Sequence, residues 1–195
     1  MTKKIEIGKT IEIGSKSNKT KKWEGVLGET EVIVWKNPNA LFENGYYGKL
    51  LNSDEGEYLS LSLVEALYLV KKKKLSVGMG FKKLYEYCSQ RDKRFRERYM
   101  VYQDLRDRGF LVKTGFKFGC DFRVYEKGVK LKRGPKSQKE HTKWIVFAVP
   151  EDFTCSFPEL SRAVRLAHNI RARMLWAIVD NENDITYYEV LRMKP

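Results

Sequence analysis

The sequence predicts an α/β (α+β) protein built on a mixed β-sheet with helices packed against it. Three observations predict this. From residue 110 onward, the runs "FLVKTG", "DFRVYE", "WIVFAV", "MLWAIVD" and "ITYYEVLRM" read as short strands. Among them, "FPELSRAVRLAHNIRAR" has helical spacing. In the first half, "YLSLSLVEALYLVKKKK" begins with the period of a strand and continues with the period of a helix. Strands interleaved with helices imply a mixed sheet with helices on it.

Taken in order, residues 1–22 are rich in lysine, and the alternating "KIEIGKTIEIG" suggests a hairpin or a tail. "EVIVW" (31–35) reads as a buried strand closed by the turn "KNPNA", and Asn-Gly in "ENGYYGKLL" marks a further turn. Ser62 followed by Glu65 is the pattern of a capping box at a helix start. Leu63, Ala66, Leu67 and Val70 then share an apolar face, and lysines 71 to 74 complement the helix C-terminus. "FKKLYEYCSQRDKRFRERYMVYQDLRDRGF" predicts continuous helix ending at Gly109, with Phe81, Leu84, Tyr85, Tyr99, Tyr102 and Leu105 as its core stripe. Its charged middle, "SQRDKRFRER", places a domain boundary there, dividing the chain into a segment 1–22 and units at 23–93 and 94–195. In the second unit, Pro158 suits the first turn of its helix, with Leu160, Val164, Leu166 and Ala167 inward and the arginines outward. No repeats are visible.

With 195 residues the chain can bury a sizeable core, and its net charge of +13 points to a polyanionic partner. No run approaches a membrane span, and the N-terminal "MTKKIEIGKT" lacks the apolar block of a secretory signal, so a cytoplasmic location is expected. Cys88, Cys120 and Cys155 form no CxxC pair, which argues against zinc and for buried thiols in a reducing compartment. There is no Walker loop, and "GVLGET" is not a dinucleotide fingerprint.

Tyr125 ends one strand, His141 begins the next, and between them "EKGVKLKRGPKSQKE" carries six lysines or arginines. A basic turn, "HNIRAR", follows about thirty residues later. Singly these are ordinary. Together they describe a phosphodiester site with a proton acceptor, a proton donor and a cationic cradle.

At these residues the chain resembles the archaeal tRNA-splicing endonucleases. The resemblance runs from about Gly25 to Pro195 through "YLSLSLVEALYLV", "LYEYC", "YMVYQDLRDRGFLVKTGFKFGCDFRVYEKG", "KEH", "VPED" and "RLAHNIRARMLWAIVDNENDITYYEV". It implies a small N-terminal α/β domain and a C-terminal nuclease domain with a central mixed sheet flanked by helices. It also implies cleavage of precursor tRNA at bulge-helix-bulge junctions. There a ribose 2′-hydroxyl attacks the adjacent phosphate, leaving a 2′,3′-cyclic phosphate and a 5′-hydroxyl, with no metal and no cofactor. Tyr125 matches the family's proposed general base and His141 its general acid.

The family's third residue, a lysine, falls on Ala172. Three readings of Ala172 follow: a designed truncation giving an inactive RNA-binding protein, a non-catalytic subunit of a hetero-oligomer, or an enzyme that works with an arginine. Retention of Tyr125, His141 and the basic loop favours a catalytically defective enzyme. On a helix Arg171 and Arg173 would point about 100° to either side of residue 172, so neither is expected to replace the lysine directly. The loop between Tyr125 and His141 resembles a basic insertion in which Lys130, Lys132, Arg133, Lys136 and Lys139 are candidates for phosphate contacts. Arg165 matches an arginine that stacks on bulge nucleotides. His168 reads as an inward, hydrogen-bonded structural histidine. Asp180, Glu182 and Asp184 lie in a turn whose family counterpart enters a basic cleft of a neighbouring subunit, and the strand after it pairs across a dimer. An oligomer of identical chains, or one with a second subunit, is therefore expected.

Overall fold

The computed structural model describes residues 22–115, 118–131 and 141–193. The lysine-rich N-terminal segment and most of the basic loop, with Lys132, Arg133, Lys136 and Lys139, lie outside the described residues.

The N-terminal half opens with the short strands β1 (Trp23–Glu24) and β2 (Val26–Leu27), followed by β3 (Glu31–Val34), α1 (Pro38–Glu43), β4 (Lys49–Ser53) and β5 (Gly56–Ser62). Strands β2, β3, β5 and β4 form an antiparallel sheet in that order. Its inner face presents Val32, Val34, Leu59 and Leu61, all fully buried. "KNPNA" is not merely a turn. Asn37 takes a left-handed conformation and Pro38 starts α1, where a missing amide costs nothing and the ring presets φ.

Ser62 ends β5 and caps α2 (Leu63–Lys71) with the expected reciprocal capping box. The helix is buried more broadly than a single stripe, from Val64 to Leu69. That burial includes Glu65, whose carboxylate accepts from the backbone of Gly48 at 2.8 Å and of Ser62 at 3.0 Å. Strand β6 (Leu75–Ser76) pairs with β1.

The expected single helix over 81–110 is two: α3 (Phe81–Ser89) and α4 (Phe95–Asp107). The break falls in the charged segment, where the Asp92 side chain accepts from the Arg94 amide at 3.0 Å and the Asp92 carbonyl from the Phe95 amide. A side-chain acceptor of this kind competes with helical hydrogen bonds. Leu84, Tyr99, Tyr102 and Leu105 are buried as the stripe requires, whereas Phe81 stays partly exposed. Gly109 (φ 87°) terminates α4 in a left-handed cap.

The C-terminal half holds β7 (Leu111–Thr114), β8 (Phe122–Tyr125), β9 (Trp144–Pro150), α5 (Phe157–Asn169), β10 (Arg173–Val179) and β11 (Ile185–Val190). The sheet order is β11-β10-β9-β8-β7, with β9 and β10 parallel and the other neighbours antiparallel. This is the mixed sheet that the alternation of strands and helix predicts.

Alternation assigns its two faces. Val112, Phe122, Val124, Val146, Ala148, Leu175, Ala177 and Val179 join the core that also contains α4 and the N-terminal half. Ile145, Met174 and Cys120 pack on the other face with Ala163 and Ala167 of α5. One continuous apolar core therefore runs through both halves, with Tyr102 and Leu105 of α4 inside it. Arg98 and Arg94, on and beside α4, reach the buried Asp121 at 2.7 and 3.3 Å, and Asp121 accepts the Ala148 amide at 2.9 Å. This fixes the start of β8 against β9.

The capping box Ser156–Glu159 and Pro158 start α5 as the sequence implies. Its buried positions are Ala163 and Ala167, with Leu160, Val164 and Leu166 only partly covered. Of the three thiols, Cys88 and Cys120 are buried, but Cys155 is exposed because it lies in the loop before α5. Among the described residues, no helix is long and apolar enough to cross a membrane.

Candidate active site

Three strand ends build the site. Val124 of β8 pairs with Trp144 of β9, and Trp144 pairs with Arg173 of β10. Tyr125 lies one residue beyond that rung, His141 three residues before it and Ala172 one residue before it. Because β8 runs against β9 and β9 runs with β10, all three approach the same end of the sheet. At ~4.8 Å per strand spacing, the backbones of Tyr125 and Ala172 stand about 10 Å apart across two gaps.

Tyr125 is the last residue of β8, with Leu111 as its partner on β7. It is only 3% exposed. His141 is exposed, as is Lys130 in the turn that leaves β8. A β-bulge marks the entry to β9. The Lys143 amide donates to the Val124 carbonyl at 2.8 Å while Trp144 is the ladder partner of Val124, so two residues oppose one. The bulge brings the Lys143 ammonium over the Trp144 ring, 4.3 Å from its centroid, where it also pairs with Glu126.

The turn into β10 differs from the helix expected there. Arg171 (φ 56°) breaks the helix with a left-handed residue. Its amide donates to the His168 carbonyl at 3.0 Å, and the Ala172 amide donates to the Ala167 carbonyl at 2.9 Å. These two bonds form a Schellman motif in which Arg171 takes the place usually given to glycine. The Arg173 amide then donates to the Lys143 carbonyl and the strand begins. Residues 171–173 thus follow turn-and-strand geometry, and the 100° separation of a helix does not apply.

The Ala172 methyl packs with the α5 side of the sheet, beside Met174. Arg173 belongs to the opposite face. Its guanidinium pairs with Glu189 at 3.1 Å, and the same carboxylate accepts from Trp144 Nε1 at 2.8 Å. Arg173 is therefore committed away from Ala172. His168 is exposed, not inward, because the apolar face of α5 is set by Ala163 and Ala167.

Arg165 is exposed on α5. Together with Arg192 it borders a groove between α5 and β11, floored by Phe157, Leu160, Val164 and Val190. The acidic turn joins β10 to β11. The Asp180 carboxylate accepts from the amides of Glu182 and Asp184 at 2.9 and 2.8 Å, so it holds the turn together. Glu182 and Asp184 are exposed. Arg96 of α4 anchors the turn through the Asp180 carbonyl and Asn183, both at 2.8 Å. Sequence carries no sign of this contact, which joins positions 84 and 87 residues apart. The Glu189 clamp is equally absent from the sequence reading, although the polar position in "ITYYEV" hints at it.

Two family models match the chain. The tRNA intron endonuclease N-terminal domain covers residues 23–85, and the tRNA intron endonuclease catalytic C-terminal domain covers residues 95–187. Among its relatives, the tRNA-splicing endonuclease of Thermococcus kodakarensis is 43% identical over 157 residues, spanning 78% of this chain and 86% of that protein. The tRNA-splicing endonuclease of Thermococcus onnurineus is 38% identical, with coverage of 78% and 84%. That of Natronomonas pharaonis is 39% identical over 173 residues, which are 88% of this chain but 50% of the longer relative.

Proposed function

The chain belongs to the tRNA intron endonuclease family, and from that membership we propose that it is a tRNA-splicing endonuclease subunit with an impaired catalytic centre. Its substrate is precursor tRNA, cut at bulged intron–exon junctions. The observation that carries this reading is the convergence of Tyr125, His141 and Ala172 on one end of β8, β9 and β10.

In the reaction, Tyr125 takes the proton of a ribose 2′-hydroxyl. The 2′-oxygen bonds to the adjacent phosphorus as the bond to the 5′-oxygen breaks. His141 protonates that departing oxygen, a task suited to an imidazole near neutral pH. The products are a 2′,3′-cyclic phosphate and a 5′-hydroxyl. An ordinary tyrosine holds its proton up to a pH near ~10, so it acts as a base only beside positive charge. A lysine at position 172 would supply that charge and stabilise the phosphorane, and alanine does neither. Lys130, with Lys132, Arg133, Lys136 and Lys139, contacts RNA phosphates, and Arg165 stacks on a bulge base. The chain works as an oligomer, with Glu182 and Asp184 of the acidic turn presented to a neighbouring subunit and Asp180 shaping that turn.

Ala172→Lys tests the reading. Cleavage of a bulge-helix-bulge RNA without divalent metal should rise by about 10²–10³-fold, the scale of one preorganised charge contact, while RNA affinity changes little. A folded, RNA-bound variant with no gain would refute it. The near-complete burial of Tyr125 favours one other reading, a non-catalytic subunit that completes an unlike partner. Cleavage that appears only on adding a second family member, and that Ala172→Lys does not change, would establish that alternative.

A further inference from the structure

Among the described residues, three Schellman motifs end helices, and their left-handed residues are Lys73 after α2, Gly109 after α4 and Arg171 after α5. A non-glycine residue costs about 1 kcal/mol or more in that conformation. Lys73 shows that this cost is tolerated where no site is at hand. What distinguishes Arg171 is its place. It adjoins Ala172 at the sheet end where Tyr125 and His141 also lie.

Its backbone is held by the flanking hydrogen bonds to His168, Ala167 and Lys143. Its side chain is exposed. The charges nearest in sequence are engaged elsewhere: Arg173 with Glu189 on the opposite face, and Lys143 with Glu126 over Trp144. Arg171 remains as the cation of this turn whose described surroundings hold no carboxylate paired with it.

We propose that Arg171 supplies the phosphate-binding cation that Ala172 lacks, and so sustains the cleavage left to this chain. The proposal rests on Tyr125 and His141 being the acid–base pair. Arginine never loses its charge near neutrality, and its planar fork donates to two phosphate oxygens together. The left-handed turn presents this fork in a direction that a continuing helix would not. It would meet the phosphate less directly than a lysine at 172, which is why the centre is impaired and not empty.

The test compares metal-free cleavage of a bulge-helix-bulge RNA by the full chain and four variants: Arg171→Gly, Arg173→Gln, Ala172→Lys, and Ala172→Lys with Arg171→Gly. Glycine is preferred in a left-handed turn, so Arg171→Gly should keep or raise the melting temperature while cleavage falls by about 10²-fold. A residue that served only the turn would not lower activity as stability rises. Arg173→Gln should stay within a few-fold of the unmodified chain, and Arg171→Gly should matter far less once lysine stands at 172. Equal cleavage by Arg171→Gly and the unmodified chain, alongside an active Ala172→Lys variant, overturns the proposal. So does an equal loss in Arg173→Gln, or an unmodified chain with no cleavage beside an active Ala172→Lys variant. If Ala172→Lys is itself inactive, the endonuclease reading fails first, and this inference falls with it.

Discussion

Lys113 gives the most quantitative prediction. It sits in β7 with its ammonium turned into the N-terminal half. There it donates to the Tyr46 carbonyl at 2.7 Å and to the Gly48 carbonyl, with the Phe42 ring 5.2 Å away. Tyr46 and Gly48 both have left-handed φ angles, 54° and 59°, and Glu65 holds the Gly48 amide from the other side. Burial pulls the Lys113 pKa from its ordinary 10.5 down to about 8, helped by Arg106 and Arg123 and opposed by Glu65.

A cationic group whose folded pKa is depressed destabilises the fold wherever it is charged. Below about pH 8 both states carry the proton and the full cost is present. Between about 8 and 10.5 the unfolded chain binds more protons, so stability rises with pH. At about 1.4 kcal/mol per pH unit, the rise is about 3 kcal/mol. The perturbation is Lys113→Met, which keeps the stem and removes the titrating group. Urea unfolding of both proteins from pH 7 to 10.5 gives the difference directly, and tyrosine titrations common to both cancel. The unmodified chain should gain about 3 kcal/mol relative to the variant over that window. Parallel pH profiles would mean that Lys113 is solvated in the folded protein and does not clasp the two halves.

Neutralising Lys132, Arg133 and Lys136 should flatten the salt dependence of RNA binding, by somewhat under ~1 in log–log slope per lost phosphate contact, and an unchanged slope would make the loop a solvated face. Replacing Glu182 and Asp184 with lysine should weaken self-association in sedimentation velocity through like-charge repulsion, whereas Asp180→Ala should also loosen the turn, since its carboxylate holds two amides. In the native protein a thiol reagent should modify Cys155 quickly and Cys88 and Cys120 slowly, because burial raises both of their pKa values to about 11; equal rates for all three would contradict that burial.

Local chemistry makes several elements legible in the sequence. The capping boxes at Ser62 and Ser156, the cap at Gly109 and the strand periods from β7 to β11 each depend on residues within a few positions of one another. Tyr125 and His141 stand out in the same way, as a strand end and a strand start, whereas Ala172 is singled out only by the family resemblance. Where local signals compete, sequence misleads. Helical periodicity across 81–110 hides the Asp92 side-chain bond that breaks the helix, and Arg171, with no glycine to flag it, conceals the Schellman turn.

Tertiary structure alone decided the rest. It placed Tyr125, His141 and Ala172 at one end of the sheet through the antiparallel and parallel pairings of β9. It committed Arg173 to Glu189, Arg96 to the acidic turn and Lys113 to the Tyr46–Gly48 turn. Spacing along a chain reports which face of an element is apolar, because that pattern repeats every two or 3.6 residues. It carries no record of which distant charge a side chain meets once the core has brought the elements together, and the chemistry of this site depends on those meetings.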